Sequence, residues 1–220
     1  MPNKNLLACA LILTGCSILF LSCSAVKTPE TVVVGSNVVV VGHWDTKPPG
    51  PEWTKQTLDA INQYGTDLIE ALPSDGDLYC KSYKDLNVDN RKAFWVYLIS
   101  ALAEYESNFD PAVTFDETTV DPKMLTREGK PIISRGLLQI SRESANGYGC
   151  GISTAKELHD ARTNISCAVR ILNRWVGRDK VISGRSAGKW RGAARYFSPF
   201  RNATKLKHMQ QLTMQQPYCR

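Results

Sequence analysis

The spacing of apolar positions along the chain changes several times, and each change marks an element. Leu6 to Leu21 is an apolar run without charge behind a short basic start at Met1 to Lys4, the pattern of an export leader. It is shorter than the roughly 20 apolar residues that a membrane span needs. Thr31 to Val34 and Val38 to Gly42, on either side of Gly35-Ser36-Asn37, predict two β-branched strands and a turn. A lone hairpin is marginal in water, so it must dock, pair or stay disordered. Lys47-Pro48-Pro49-Gly50-Pro51 predicts a stiff polyproline linker. The division expected is a leader at 1–23, hairpin and linker at 24–51, and one domain at 52–220.

From Glu52 the period becomes helical. Leu58, Ile61, Leu68, Ile69 and Leu72 share a stripe that Pro73-Ser74-Asp75-Gly76 ends. Asp89 is expected to cap a helix running through Ser107, with Phe94, Trp95, Leu98, Ala101, Leu102 and Tyr105 on a broad apolar face. Lys123 to Ser134 predicts a small hairpin turning at Glu128-Gly129, and a short helix follows to Gly147. Ala161 to Val176 is a further helix, stopped by Gly177. Gly188 to Phe197 and Thr204 to Gln215 are expected to be the last two. There is no internal repeat. The fold class expected is mainly α, a helical domain with a small β-hairpin.

Composition narrows this. Without the leader roughly 170 residues remain, enough for one core. The formal charge is +6, and eleven Lys and Arg lie between Arg170 and Lys207. Such a run fits either a polyanion, in a bacterial envelope a wall polymer or lipid headgroups, or an ordinary solvated face. No aromatic-basic motif or zinc finger accompanies it, so nucleic acid is not an expected partner.

Cysteine usage agrees with export. Cys9, Cys16 and Cys23 fall in the leader, leaving Cys80, Cys150, Cys167 and Cys219, an even number. Cys150 and Cys167 are close in sequence around a Gly-rich loop and are the favoured pair, which leaves Cys80 with Cys219. Closing the shorter loop stabilises by about 3 kcal/mol. No CxxC spacing occurs, and His43, His159 and His208 are scattered, so neither a metal nor a cofactor is expected. Leu13-Thr14-Gly15-Cys16 resembles a lipoprotein signal box, and Leu21-Ser22-Cys23 is a second candidate. Acylation at Cys16 or Cys23 would anchor the chain to a membrane; a plain secretory leader is the alternative. The expected location is the periplasm, the outer membrane or the medium, and the expected state a monomer.

Candidate chemistry centres on Glu106, at the end of the long apolar helix and ahead of a Gly-Leu-Leu-Gln turn. A helix C-terminus and apolar surroundings both favour a neutral carboxyl, as a general acid for glycosidic bonds requires. Glu104, two residues away, points to another face and is expected to be solvated. Ser107 has no GxSxG elbow and no histidine to serve it, so it is no nucleophile.

In order, Glu106-Ser107-Asn108-Phe109-Asp110-Pro111, Gly136-Leu137-Leu138-Gln139-Ile140, Asn164-Ile165 with Ala168 and Leu172, and Trp190 with Ala193-Ala194-Arg195-Tyr196 resemble the soluble lytic transglycosylases and goose-type lysozymes. The likeness spans roughly Ala93 to Phe197. It implies a lysozyme-like fold, peptidoglycan glycan strands as substrate and Glu106 as the catalytic glutamate. It also implies Gln139 and Tyr196 along the glycan groove, with Ser107 and Gly136 among the substrate-binding set. The family often has Tyr-Asn where Tyr196-Phe197 stands, and Met where Ser141 stands, departures that bear on sugar preference. A transglycosylase of this type needs no second carboxylate, because the sugar's own 6-hydroxyl attacks and leaves a 1,6-anhydro end. A hydrolytic muramidase would need one, and Asp116, Glu117 and Asp121 are the candidates. A wall-binding protein that keeps the groove without catalysis is the reading from another class.

Overall fold

The computed structural model describes residues 32–34 and 38–220. The leader with Cys16 and Cys23, and the turn expected at 35–37, lie outside the described residues. One helix, α3 (Val88–Ser107), is the hub of the fold. Phe94, Trp95, Val96, Leu98, Ile99, Ala101 and Leu102 are each at most 1 % exposed. An element apolar on so many sides has to be wrapped by others. Its N-cap is Asn87 rather than the expected Asp89, with Asn87 Oδ1 accepting from the Asn90 backbone at 2.9 Å. Asp89 sits in the first turn, where the helix dipole favours its charge.

The helix expected from Glu52 to Leu72 is two, α1 (Gly50–Tyr64) and α2 (Thr66–Glu70). They part at Gly65, where a Cβ would come within 2.7 Å of the Ile61 carbonyl oxygen. Both lie against α5 (Ala161–Asp179), which runs on past Gly177. Gly177 is not a stop but the point where α2 comes closest, since a Cβ there would meet Asp67 Cβ at 2.6 Å. Asn173 Oδ1 accepts from the Leu68 backbone at 2.8 Å and fastens the two helices.

The Pro-rich stretch is no spacer. Pro49 is the N-cap of α1, and Pro51 occupies its first turn, where a missing N–H costs nothing. Trp44, in the 3₁₀ turn His43–Thr46, is fully buried, and its indole N–H donates to Thr54 Oγ1 at 2.9 Å. Strands β1 (Val32–Val34) and β2 (Val38–Val40) pair antiparallel with Val32 opposite Val40. Of the three fates open to them they dock, with Val40 buried in the core.

Strands β3 (Thr114–Asp116), β4 (Ile133–Arg135) and β5 (Ile140–Ser141) form an antiparallel sheet in that order. The expected hairpin is its outward loop, turning at Gly129 (φ 75°) and joined by an isolated Leu125–Pro131 bridge. The helix α4 (Arg142–Gly147) follows as expected. Gly188 to Phe197 is not a helix. Strands β6 (Ser183–Ser186) and β7 (Lys189–Gly192) form a hairpin instead, with a 3₁₀ turn over Ala193–Arg195. Ala187 and Gly188, at φ 47° and 75°, form the two-residue left-handed turn that suits strand twist. The helix α6 (Ala203–Met214) packs on α3. Both disulfides have the expected pairing, Cys80 with Cys219 and Cys150 with Cys167. Among the described residues no helix is long and apolar enough to cross a membrane.

Candidate active site

The hub helix ends because Asn108 and Phe109 both adopt left-handed backbone, at φ 51° and 64°. Asn is common at such a cap, whereas a bulky Phe there is strained and persists only where its surroundings over-determine it. The surroundings are visible. The His43 ring meets Phe109 edge-on at 5.9 Å, and Lys47 Nζ lies 5.9 Å from the same ring. His43 is tied in turn to α3: its backbone N–H donates to Ser100 Oγ at 2.6 Å, and its Nε2 lies 3.0 Å from Glu104 Oε2. Glu104 is therefore paired rather than solvated, and His43 is half-buried rather than a free surface residue.

This geometry presents Glu106 at the last turn of α3, partly buried, where desolvation pushes its pKa up to about 8. Lys205 and Arg201 pull the other way, and Glu117 adds to the rise. Of the acidic trio, then, Glu117 stands close enough to act on Glu106. Its Oε1 accepts a 2.5 Å bond from the Ser134 hydroxyl on β4. Asp116 is occupied as a cap, its Oδ1 accepting from Thr118 N at 2.9 Å and Thr118 Oγ1 at 2.6 Å. Asp121 is exposed and holds its own turn by accepting from Lys123 N at 2.9 Å.

Two residues expected to bind substrate are instead committed to the scaffold. Ser107 is buried, and its hydroxyl donates to the Leu137 carbonyl at 2.9 Å, clipping the end of α3 to the Gly136–Gln139 turn. Gly136 is buried at φ 78°, and a Cβ on it would fall 2.1 Å from the Leu158 carbonyl oxygen. Only glycine fits this close approach. Gln139 has φ 43°, and its Nε2 donates to the Gly136 carbonyl at 2.8 Å and the Val113 carbonyl at 3.2 Å. Its Oε1 is buried without a partner. Tyr196 is half-buried, its hydroxyl among Ser141 and Ser144; burial holds the phenol well above its ordinary range, and Glu106 adds to the rise.

Sequence reasoning saw Asn164 only as the opening of a helix. It is the keystone of the turn: fully buried, it donates through Nδ2 to the Arg135 and Leu158 carbonyls, both at 2.9 Å, and accepts from Leu138 N at 2.8 Å. An Asn just inside a helix start, with no cap to make because Asp160 makes it, was the available signal. Arg201 and Lys205 were visible only as members of a basic run. Among the described residues no group of His, Cys, Asp and Glu could hold a metal ion.

The candidate site thus sets an acid at the end of a buried helix, beside a Gly-Leu-Leu-Gln turn and a three-stranded sheet. Residues 87–183 match the transglycosylase SLT domain, and the chain belongs to that family. It is a peptidoglycan-cleaving enzyme of the lytic transglycosylase kind, with a lysozyme-like fold. Among solved structures it is similar to Bd0314 DslA in its wild-type form, with 37 % identity and a TM-score of 0.77 over 82 % of this chain and 98 % of the other. Two variants of that protein match as well, each 36 % identical over the same shares, with TM-scores of 0.77 and 0.76. Each replaces one glutamate by glutamine, and the two glutamates are eleven positions apart. No curated protein matches the chain.

Proposed function

We propose that the enzyme cuts the β-1,4 bond between N-acetylmuramic acid and N-acetylglucosamine, with Glu106 as general acid and then base, leaving 1,6-anhydromuramic ends. The observation that carries this is the place of Glu106, at the partly buried last turn of α3, where desolvation pushes its pKa up to about 8 and so favours the proton that the leaving oxygen needs. After bond cleavage the same carboxylate, now ionised, takes the proton of the 6-hydroxyl as that oxygen closes on the anomeric carbon. Lys205 and Arg201 then offset its charge. Gln139, with its unpartnered Oε1, and Tyr196, which lies in the field of Glu106, are the residues to hold the sugar.

A hydrolytic route has its own support. Glu117 lies within the field of Glu106, and the two are eleven positions apart, the spacing of the glutamates replaced in the two Bd0314 DslA variants. In that route Glu117 would orient water or stabilise the oxocarbenium ion. Export is part of the same proposal, supported by two disulfides that need an oxidising compartment, and acylation at Cys16 or Cys23 is proposed from the likeness of the leader to a lipoprotein signal box.

Mass spectrometry of muropeptides released from purified peptidoglycan separates the routes. Anhydromuramic ends that vanish with Glu106→Gln and persist with Glu117→Gln are the expected result. Reducing muramic ends that vanish with either variant would replace it by hydrolysis. Release that survives Glu106→Gln would remove Glu106 from the chemistry.

A further inference from the structure

Of the basic run beyond residue 160, Arg201 and Lys205 act on Glu106, while Arg174, Arg178 and Arg185 have no part in bond cleavage. Ion pairs among the described residues occupy Arg162, Arg191 and Arg195, and none reaches Arg174, Arg178, Arg185, Arg201 or Lys205. Several of these cations are held over aromatic rings. Arg174 and Arg178 lie 5.3 and 5.5 Å from the Trp175 ring, with Arg195, fixed by Asp179, at 4.8 Å. Arg185 and Arg201 lie 5.1 and 6.0 Å from Trp190.

Both clusters lead back to the acid. Trp175 donates its indole N–H to the Tyr148 hydroxyl at 2.6 Å, the Tyr148 ring meets Tyr196 edge-on at 5.8 Å, and Tyr196 lies in the field of Glu106. Arg201 joins Trp190 to Glu106 by the same token. Arg174 and Arg178 are exposed, like-charged and one helical turn apart, an arrangement that costs a few tenths of a kcal/mol unless an anion sits between them. The C-terminal end of α5 favours Arg178, and Arg201 is held by donating to the Ala194, Arg195 and Tyr196 carbonyls, whereas Arg185, on β6, has only a 3.3 Å contact from Nε to the Gly188 carbonyl. A guanidinium lying on an indole loses little further freedom on binding and keeps its planar N–H edge for a carboxylate.

An acetylated glycan backbone is neutral, and the carboxylates of peptidoglycan are on its peptide stems. We propose that Arg174, Arg178 and Arg185, carried on Trp175 and Trp190, receive the carboxylates of the stems while the strand lies across Glu106. The proposal rests on the glycan-cleaving reading and adds a second recognition element to it.

The test compares stem-bearing glycan strands with the same strands stripped of stems by an amidase, the lactyl carboxylate that this frees being capped as its methylamide, using the full mature protein and its Arg174→Glu/Arg178→Glu and Arg185→Glu variants. The double variant is expected to lose about tenfold in kcat/KM on stem-bearing strands, mainly through KM, and to match the parent on stripped strands. The gap should close as salt rises. Equal losses on both substrates, or none on the stem-bearing one, would overturn the proposal. Should the parent cut neither substrate, the cleavage reading fails on its own. Stem recognition is then judged by calorimetric binding of stem-bearing muropeptides, which the double variant must weaken by a similar factor for the proposal to stand.

Discussion

At the residue scale the decisive quantity is the proton on Glu106. It stays bound in the folded enzyme up to about pH 8 but is released near pH 4 in an unfolded chain. Between these values the folded state holds more protons than the unfolded one, so stability falls as pH rises. Above pH 8 a partly buried carboxylate is ionised, which costs on the order of 2 kcal/mol after solvent screening. Glu106→Gln should therefore have a higher melting temperature than the parent above pH 8, with the difference closing below pH 4; parallel melting curves at every pH would show that the site does not hold the proton. Glu117→Gln removes a charge that raises the Glu106 pKa, so the alkaline limb of kcat/KM should move to lower pH, by under about one unit. A pH–rate profile that stays put would separate the two carboxylates. Asn164→Ala strips three hydrogen bonds from one buried side chain and should cost about 3 kcal/mol in urea unfolding. A loss under about 1 kcal/mol would show that the turn keeps its own shape.

Elements obeyed sequence where burial decided them and departed where a single backbone torsion or a close approach did. The apolar run of α3 required wrapping by other elements, and Glu106 was legible at its end. Trp190, Ala193, Ala194 and Phe197 mimic a helical stripe, yet Gly192 has φ 58°, and a Cβ on it would lie 2.3 Å from the Val181 carbonyl oxygen. That contact across the base of the hairpin, together with the left-handed turn at Ala187-Gly188, made a hairpin of a stretch with helical spacing. The proline stretch misled in the same manner, because the burial of Trp44 that draws it into the fold is a tertiary event. So too for the substrate residues: Ser107 and Gly136 carry the right motif but their roles were fixed by Leu137 and Leu158, which only the fold brings near. Deleting residues 31–42 takes Val40 out of the core and should lower stability by about 2 kcal/mol without raising activity. Faster cleavage after the deletion would instead make the segment a cover for the groove.

For the whole molecule, the class was readable because four weak motifs occur in one order along a hub-and-wrap topology, whereas the basic surface acquires a pattern only after α5, the β6–β7 hairpin and Arg201 meet. Covalent closure belongs to the same scale. Cys80 and Cys219 are 139 residues apart and join the loop before α3 to the end of the chain beyond α6. Replacing both by serine should cost about 2–5 kcal/mol, read as a lower midpoint in guanidinium. An unchanged midpoint would assign the closure of the domain to packing alone.

That bridge also sets a clock. Its first half emerges early from any translating or translocating machinery, and its partner only after α3, the three-stranded sheet, α5 and α6 have followed. The candidate site is itself complete only once Tyr196, Arg201 and Lys205 have followed, shortly before Cys219, and the lock forms only where thiols are oxidised. A copy retained in a reducing compartment would keep the acid without the bridge, and so lack the stability that closing the chain supplies.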